Sequence, residues 1–328
     1  MQYIGEKPPR IVEVERGEVV TYFQRLLHTA KAFSRSFVET YSHRDSTSQT
    51  KPKLGIALGG GFARGLAHVG VLKVLEDEGI PVDYVAGTSV GAVIGAAYCS
   101  GVSARELEEI AKMVRFRDFA RWTVSRYGIC NNDRMAVFLP RVVKVKTFEE
   151  LRIPLAVAAT DFVTGEPVVI RSGPICDPVR ASCAYPGMFA PVQVDGHLLV
   201  DGMLGHPVPT TPLREMGADH VIGVHLSAHW VQRGPRHLFD IIGQCFSIAQ
   251  ARMSFHWRKD ADLLLEPEVD GFAYDEFERS AELIAKGEAA MRTALPELKK
   301  LLELPAAIKR GLQVAATEAE VKPHMTAA

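Results

Sequence analysis

An α/β fold, with a mainly parallel central sheet flanked by helices on both faces, is what the sequence predicts, on three observations. Short apolar runs that read as strands alternate with longer stretches at helical spacing, beginning with 54–58, 66–78, 84–86 and 90–100. Glycines gather where the first two strands turn into helices, at Gly59 to Gly61 and at Gly87 and Gly91. Hydrophobic residues make up 47% of the 328 positions and the formal net charge is −1, enough apolar surface for one large core and too little charge for a disordered chain.

In chain order, residues 17–41 place Val20, Phe23, Leu27, Ala30, Phe37 and Tyr41 at mostly helical spacing with Arg25, Lys31 and Arg35 between them. This is an amphipathic leader helix, read as docked on the main domain in preference to a membrane-surface anchor. The polar run 46–52 is a linker, so the organisation is leader and linker at 1–50, a main domain at 53–270, and a C-terminal helical segment and tail at 271–328 packed on it. Further strands are expected at 155–159, 168–170, 198–200, 221–224 and 263–265. Helices are expected at 238–253 and 277–302, the second kinked or interrupted at Pro296. Residues 84–104 carry no charge and hold Gly87, Gly91 and Gly95 at G-x-x-x-G spacing. Thr88, Ser89, Ser100 and Ser103 make that stretch a poor membrane span, and a buried strand, turn and helix explain it.

The near-neutral charge argues against a polybasic nucleic-acid surface. Cys99, Cys130, Cys176, Cys183 and Cys245 form no C-x-x-C pair, so they read as free thiols in a reducing compartment. The N-terminus lacks the apolar run of a signal peptide. A cytoplasmic location, within reach of the inner membrane surface, is the expectation. No H-E-x-x-H or calcium-loop pattern occurs, and no metal or cofactor is expected.

Three motifs carry chemistry. Gly87-Thr88-Ser89-Val90-Gly91 is a G-x-S-x-G sequence between strand and helix, where a sharp turn exposes a serine hydroxyl at the positive end of a helix; its plainer reading is a small-residue turn. Gly59-Gly60-Gly61-Phe62-Ala63-Arg64-Gly65 offers unobstructed backbone amides, suited to a phosphate or to the oxyanion of acyl transfer. A dinucleotide fingerprint would need glycine at Arg64 and a P-loop would need Gly-Lys-Ser/Thr, so the oxyanion reading is the better one. Leu198 to Gly202 runs an apolar strand into Asp201, a strand-end carboxylate whose commoner role is turn formation. Direct proton acceptance by Asp201 and a triad through His197 or His206 both fit the spacing.

Taken together, these motifs resemble, in order and approximate spacing, those of patatin-like phospholipases of the bacterial type. Ala159-Thr160-Asp161 with Thr164-Gly165, and Ala181 to Gly187 before Phe189 and Pro191, add to the resemblance, which covers about residues 53–225. It implies a three-layer sandwich and a serine acyl hydrolase, phospholipase A-like, acting on fatty-acyl esters of (lyso)phospholipids at a membrane surface. Ser89 would be the nucleophile and Asp201 its base, with the backbone of Gly59, Gly60, Gly61 and Phe62 as oxyanion hole. Arg64 would position the loop or attract anionic head groups, and Thr160 and Asp161 would be scaffold. Pro186 would hold a rigid turn near the substrate. Two departures stand out: Met203 follows Gly202 where the family usually has Gly or Ala, which bears on the acyl pocket, and His206 replaces the Asn of an Asn-Pro-Val-Pro run. The competing readings are an α/β-hydrolase esterase with a histidine base and a silent lipid-binding module. Arg115, Arg117, Arg121 and Arg126 alternate with Phe116, Phe119, Trp122 and Tyr127, a pattern that fits docking to an anionic lipid surface or an amphipathic helix with solvated arginines.

Overall fold

The computed structural model describes residues 51–125, 128–226 and 238–303. The leader expected at 17–41 and the tail after 305 lie outside the described residues. Strand β1 (Leu54–Leu58) passes through a 3-10 turn (Phe62–Leu66) into helix α1 (Ala67–Asp77), and β2 (Tyr84–Thr88) leads into α2 (Val90–Cys99). Then come α3 (Ala104–Met113), the single turn α4 (Phe116–Phe119), a hairpin of β3 (Arg121–Ser125) and β4 (Gly128–Asn131), and α5 (Asp133–Val142). The chain continues through β5 (Leu155–Asp161), β6 (Pro167–Ile170), α6 (Cys176–Ser182), β7 (Val192–Val194) and β8 (His197–Asp201). It closes with α7 (Thr210–Glu215), β9 (His220–Val224), α8 (Leu238–Arg258), β10 (Leu263–Leu265) and α9 (Ser280–Glu303).

The sheet order is β10-β9-β1-β2-β5-β8-β7, with β6 also paired to β5. Neighbours from β10 to β5 are parallel, and β6, β7 and β8 attach antiparallel. Side-chain size chooses the face. Ile56, Leu58, Val85, Leu155, Val157, Ile222 and Val224 point into the larger core, shared with α1, α2 and α9. Ala57, Ala86, Ala156 and Val221 point the other way, to Leu213, Ala218 and Trp257. The smaller residues let α7 settle close to the sheet: a Cβ on Gly55 would stand 3.0 Å from Ala218 Cβ. This period-two split is the signature of strands covered on both sides.

Two expectations change. Helix α9 is not interrupted at Pro296; Met291 and Leu298 on either side are fully buried, and that packing holds the helix across the missing N–H. Residues 115–125 form a single helical turn and a strand in place of one amphipathic helix, and Arg126, Tyr127 and the Trp122 side chain lie outside the described residues. Phe119 meets Phe116 at 5.4 Å and Phe277 at 5.3 Å between ring centroids, both edge to face, so these aromatics serve the interior.

Candidate active site

Register brings the motifs together. Leu58 pairs with Gly87, so the glycine loop and the serine turn leave the same edge of the sheet. Thr88, just before the serine, pairs with Ala158, and Asp201 pairs with Ala159. Strand β5 therefore seats Ser89 and Asp201 one step apart although 112 positions separate them in the chain (201 less 89).

Ser89 has φ 56° and ψ −124°, in the region that favours glycine. Holding a serine there costs about 1–3 kcal/mol, which the surroundings must impose. They do so by crowding. A Cβ on Gly91 would overlap the Leu58 carbonyl, and one on Gly87 would lie 2.6 Å from Ala92 N. The Ser89 N–H donates to Ser182 Oγ at 2.8 Å, and that hydroxyl donates to the Ala158 carbonyl at 2.6 Å. Ser182 is fully buried and fastens the turn to β5; no pattern in the sequence marks it for this role, because both partners are distant backbone atoms. Ser182→Ala removes the acceptor of the Ser89 N–H and the hydroxyl that holds it to β5, and is expected to cost about 1–3 kcal/mol in urea unfolding. A variant as stable as the parent would show that the relay is not needed.

The glycine loop is more heavily committed than the sequence suggests. Gly59 N–H donates to Val224 O at 3.1 Å and Gly60 N–H to Pro207 O at 3.2 Å. Those two amides are spent on backbone and cannot also receive an oxyanion, which revises the four-residue expectation. Gly61 N–H has no backbone acceptor among the described residues, and Phe62 follows with φ 51°. Gly60 still shapes the site: a Cβ there would lie 3.5 Å from Ser89 Cβ and 3.8 Å from Met203 Cβ. Beneath the loop, His68 is fully buried with Nε2 2.8 Å from the Gly59 carbonyl. A carbonyl only accepts, so Nε2 carries the proton; burial pushes the ring pKa down to about 4 and keeps it neutral. Arg64 is 6% exposed and its Nε donates to Phe272 O at 2.8 Å. Its guanidinium ties the loop to the C-terminal segment, and the head-group role considered for it gives way to this anchoring one.

Asp201 is fully buried. Oδ1 accepts from Met203 N–H at 3.0 Å, while Oδ2 has no hydrogen-bond partner. Burial raises the carboxyl pKa to about 7, against the opposing pull of the Met203 amide and of the nearby Ser89 hydroxyl. The hydroxyl is thus a neighbour poised beside the carboxyl group without a completed bond to Oδ2. It also neighbours the Cys183 thiol, whose pKa burial pushes well up. Thr160 Oγ1 donates to the Asp201 carbonyl at 3.0 Å, and a Cβ on Gly202 would overlap the Ala158 carbonyl. Among the described residues no imidazole bonds this carboxyl group. His197 Nδ1 sits 2.8 Å from Asp161 Oδ2, and the His206 ring makes no hydrogen bond among the described residues, its backbone carbonyl accepting from Thr88 Oγ1 at 2.6 Å.

An apolar cavity with about 860 Å³ of empty space, its open mouth included, reaches Ser89. Apart from Ser89 and Cys183 its walls are apolar, among them Val93, Ile110, Phe119, Phe138 and Phe277. Met203 and Pro186 do not line it. Met203 packs with Tyr185 and Phe189, and Pro186 precedes Gly187 (φ 81°) in a turn closed by Met188 N–H on the Tyr185 carbonyl at 3.1 Å.

Residues 56–214 match the model of the patatin-like phospholipase family. The chain carries a patatin-like domain over those residues. An uncharacterised NTE family protein of Mycobacterium tuberculosis (strain ATCC 25618 / H37Rv) is 36% identical over 181 residues, 54% of this chain and 50% of the relative. Patatin-like phospholipase domain-containing protein 6 of Homo sapiens is 35% identical over 188 residues, 53% of this chain and 13% of the human protein. The matched stretch of this patatin-like chain thus spans about half the length of the mycobacterial relative and far less of the human one. VipD from Legionella pneumophila shares the fold, with a TM-score of 0.51 at 13% identity over 76% of this chain and 67% of VipD.

Proposed function

We propose that this patatin-like chain is a lipid acyl hydrolase, cleaving fatty-acyl esters of phospholipids, lysophospholipids or related lipids with Ser89 as nucleophile and Asp201 as base. One observation carries the reading: the hydroxyl at a strained strand-to-helix turn lies beside a buried carboxyl group of pKa about 7 and opens into an apolar cavity. A base of that pKa is matched to proton transfer at neutral pH. The cavity offers an acyl chain a wall of hydrocarbon that reaches Ser89.

In the proposed reaction the acyl chain enters the cavity and the ester carbonyl comes to rest over Ser89. Asp201 takes the hydroxyl proton as Oγ bonds to the carbonyl carbon. The oxyanion is held at the turn that Gly61 opens, where one well-aimed amide is worth about 3 kcal/mol. Collapse breaks the ester bond; Asp201 returns the proton to the departing alcohol and an acyl-serine remains. Water then attacks, giving its proton to Asp201, and the fatty acid leaves as Ser89 recovers its hydrogen. A relative named lysophospholipase NTE1, from Mycosarcoma maydis, 31% identical over 183 residues, 53% of this chain and 10% of that protein, supports a lipid ester as substrate. Among the described residues no imidazole is bonded to Ser89 or Asp201, and His197 and His206 are placed elsewhere, which favours the two-residue arrangement over a triad through either of them.

The test is covalent. A long-chain alkyl fluorophosphonate should modify the purified protein once, at Ser89, and leave Ser89→Ala unmodified and unable to hydrolyse lysophospholipid. Equal labelling of both proteins, or hydrolysis by Ser89→Ala at the parental rate, would remove Ser89 as nucleophile.

A further inference from the structure

Helix α8 keeps different company on its two sides. Inward, the Phe246 ring meets Tyr185 edge to face at 5.6 Å, Gln250 Nε2 donates to Met203 O at 3.4 Å, and Trp257 is buried. Outward, Ile241, Cys245, Ile248, Arg252 and Phe255 follow one another at steps of four, three, four and three residues, a single stripe along a helix. The three large apolar residues on it are open to solvent: Ile241 is 49% exposed, Ile248 53% and Phe255 72%. From Ile241 to Lys259 the sequence holds no acidic residue, while Arg252, Arg258 and Lys259 are cationic. Arg258 is engaged with Glu266, whereas Arg252 and Lys259 form no ion pair among the described residues.

We propose that this outer face docks the chain on an anionic lipid bilayer, the helix lying in the interfacial plane with Ile241, Ile248 and Phe255 among the acyl chains and Arg252 and Lys259 at the lipid phosphates. Scattered surface apolar residues need no partner, but an aligned apolar stripe with cations and no anions has the composition of an interfacial helix. A second copy of the chain fits less well. The stripe offers a few hundred Å² of apolar surface, short of the roughly 800 Å² each partner contributes to a standard interface, and a two-fold contact would set cations against cations. Placement adds a reason. The opposite face of the same helix touches Met203 and Tyr185 beside Asp201, so a bilayer on the outer face lies about one helix diameter, ~10 Å, from the catalytic pair. The proposal takes a lipid substrate from the proposed function, but its test needs no turnover.

Cys245 sits on the stripe, exposed and free, whereas Cys99, Cys130 and Cys183 are buried. With Cys176 replaced by serine, an environment-sensitive fluorophore on Cys245 of the full chain should shift to the blue with vesicles of phosphatidylcholine and phosphatidylglycerol, and shift much less with phosphatidylcholine alone. In co-sedimentation with the unlabelled chain, Ile241→Ser, Ile248→Ser and Phe255→Ser combined should weaken vesicle binding about tenfold or more. Arg252→Glu with Lys259→Glu should weaken it selectively on the anionic vesicles. Both variants should keep the parental melting temperature and the parental rate on a soluble short-chain ester. A triple variant that binds as the parent does would overturn the docking face. So would a parent that ignores vesicles but sediments as a dimer which the triple variant breaks, since the stripe would then join two copies. Loss of soluble-ester turnover in the parent would instead count against the proposed function and leave the vesicle result standing.

Discussion

Asp201→Asn is expected to lower ester turnover by about four orders of magnitude while unfolding at a higher urea concentration than the parent near neutral pH. The two effects share a cause. The folded carboxyl group ionises near pH 7 because it is buried, against 3.8 for an unperturbed aspartate. Below about pH 4 both folded and unfolded chains hold the proton and burial carries no ionisation penalty. Between about 4 and 7 the unfolded chain releases the proton while the folded chain keeps it, so stability falls as pH rises, by about 1.4 kcal/mol per unit. Above 7 the loss levels off at roughly 4 kcal/mol, an upper figure for this one group. Asparagine never ionises and retains the acceptor for Met203 N–H, so the variant should gain most at about pH 8 and little at about pH 4. For the parent, kcat/KM should climb as pH passes through about 7, where the base loses its proton. Urea unfolding at the two pH extremes, with steady-state rates beside it, checks each part. Parental turnover in the asparagine variant would end the role given to Asp201. A pH-independent stability difference would mean that the carboxyl group is not buried as described.

Gly91→Ala is expected to cut turnover about a hundredfold and to destabilise the fold by roughly 1–3 kcal/mol. The added methyl would overlap the Leu58 carbonyl oxygen and stand 2.6 Å from its carbon and 2.9 Å from the Gly59 oxygen, all backbone atoms that cannot rotate away. Relief requires α2 to move off the end of β1. Ser89 caps α2 and the glycine loop continues β1, so the movement opens the gap between the proposed nucleophile and the proposed oxyanion donor. A displacement of about 1 Å suffices for a loss of this size. Gly271→Ala, with nothing within 4 Å of the added Cβ, is the control and should change neither quantity. Thermal unfolding and turnover read both variants. A Gly91→Ala protein that melts and turns over like the parent would show that the close approach is not needed.

Much of the framework was legible because it rests on local pattern. Alternating apolar runs gave β1, β2, β5, β9 and β10 to within a few residues, and glycines between strand and helix marked both turns of the candidate site. Less legible was whatever depends on which surface a side chain meets. Phe116 and Phe119 among arginines look like a lipid-facing array in sequence, yet they turn into the core because Phe277, more than 150 positions away, supplies the partner ring. The hairpin β3–β4 carries a weak signal of its own, and although α3 is announced by its Ser103–Glu106 capping box, only the tertiary structure shows that α3 and α5 line the apolar cavity. For Arg64 the sequence leaves loop positioning and head-group attraction both open, and the Phe272 carbonyl against its Nε decides for the first.

From the sequence alone came the α/β class, the order of the elements and the residue types able to do acyl chemistry, since backbone propensity and side-chain period act over a few neighbouring positions. Tertiary structure decided which loop amides remain available, that Ser182 fastens the serine turn, and that Asp201 titrates near neutrality. Those properties belong to hydrogen bonds and burial between segments far apart in the chain, and a buried polar group has no fixed character until its partners are in place.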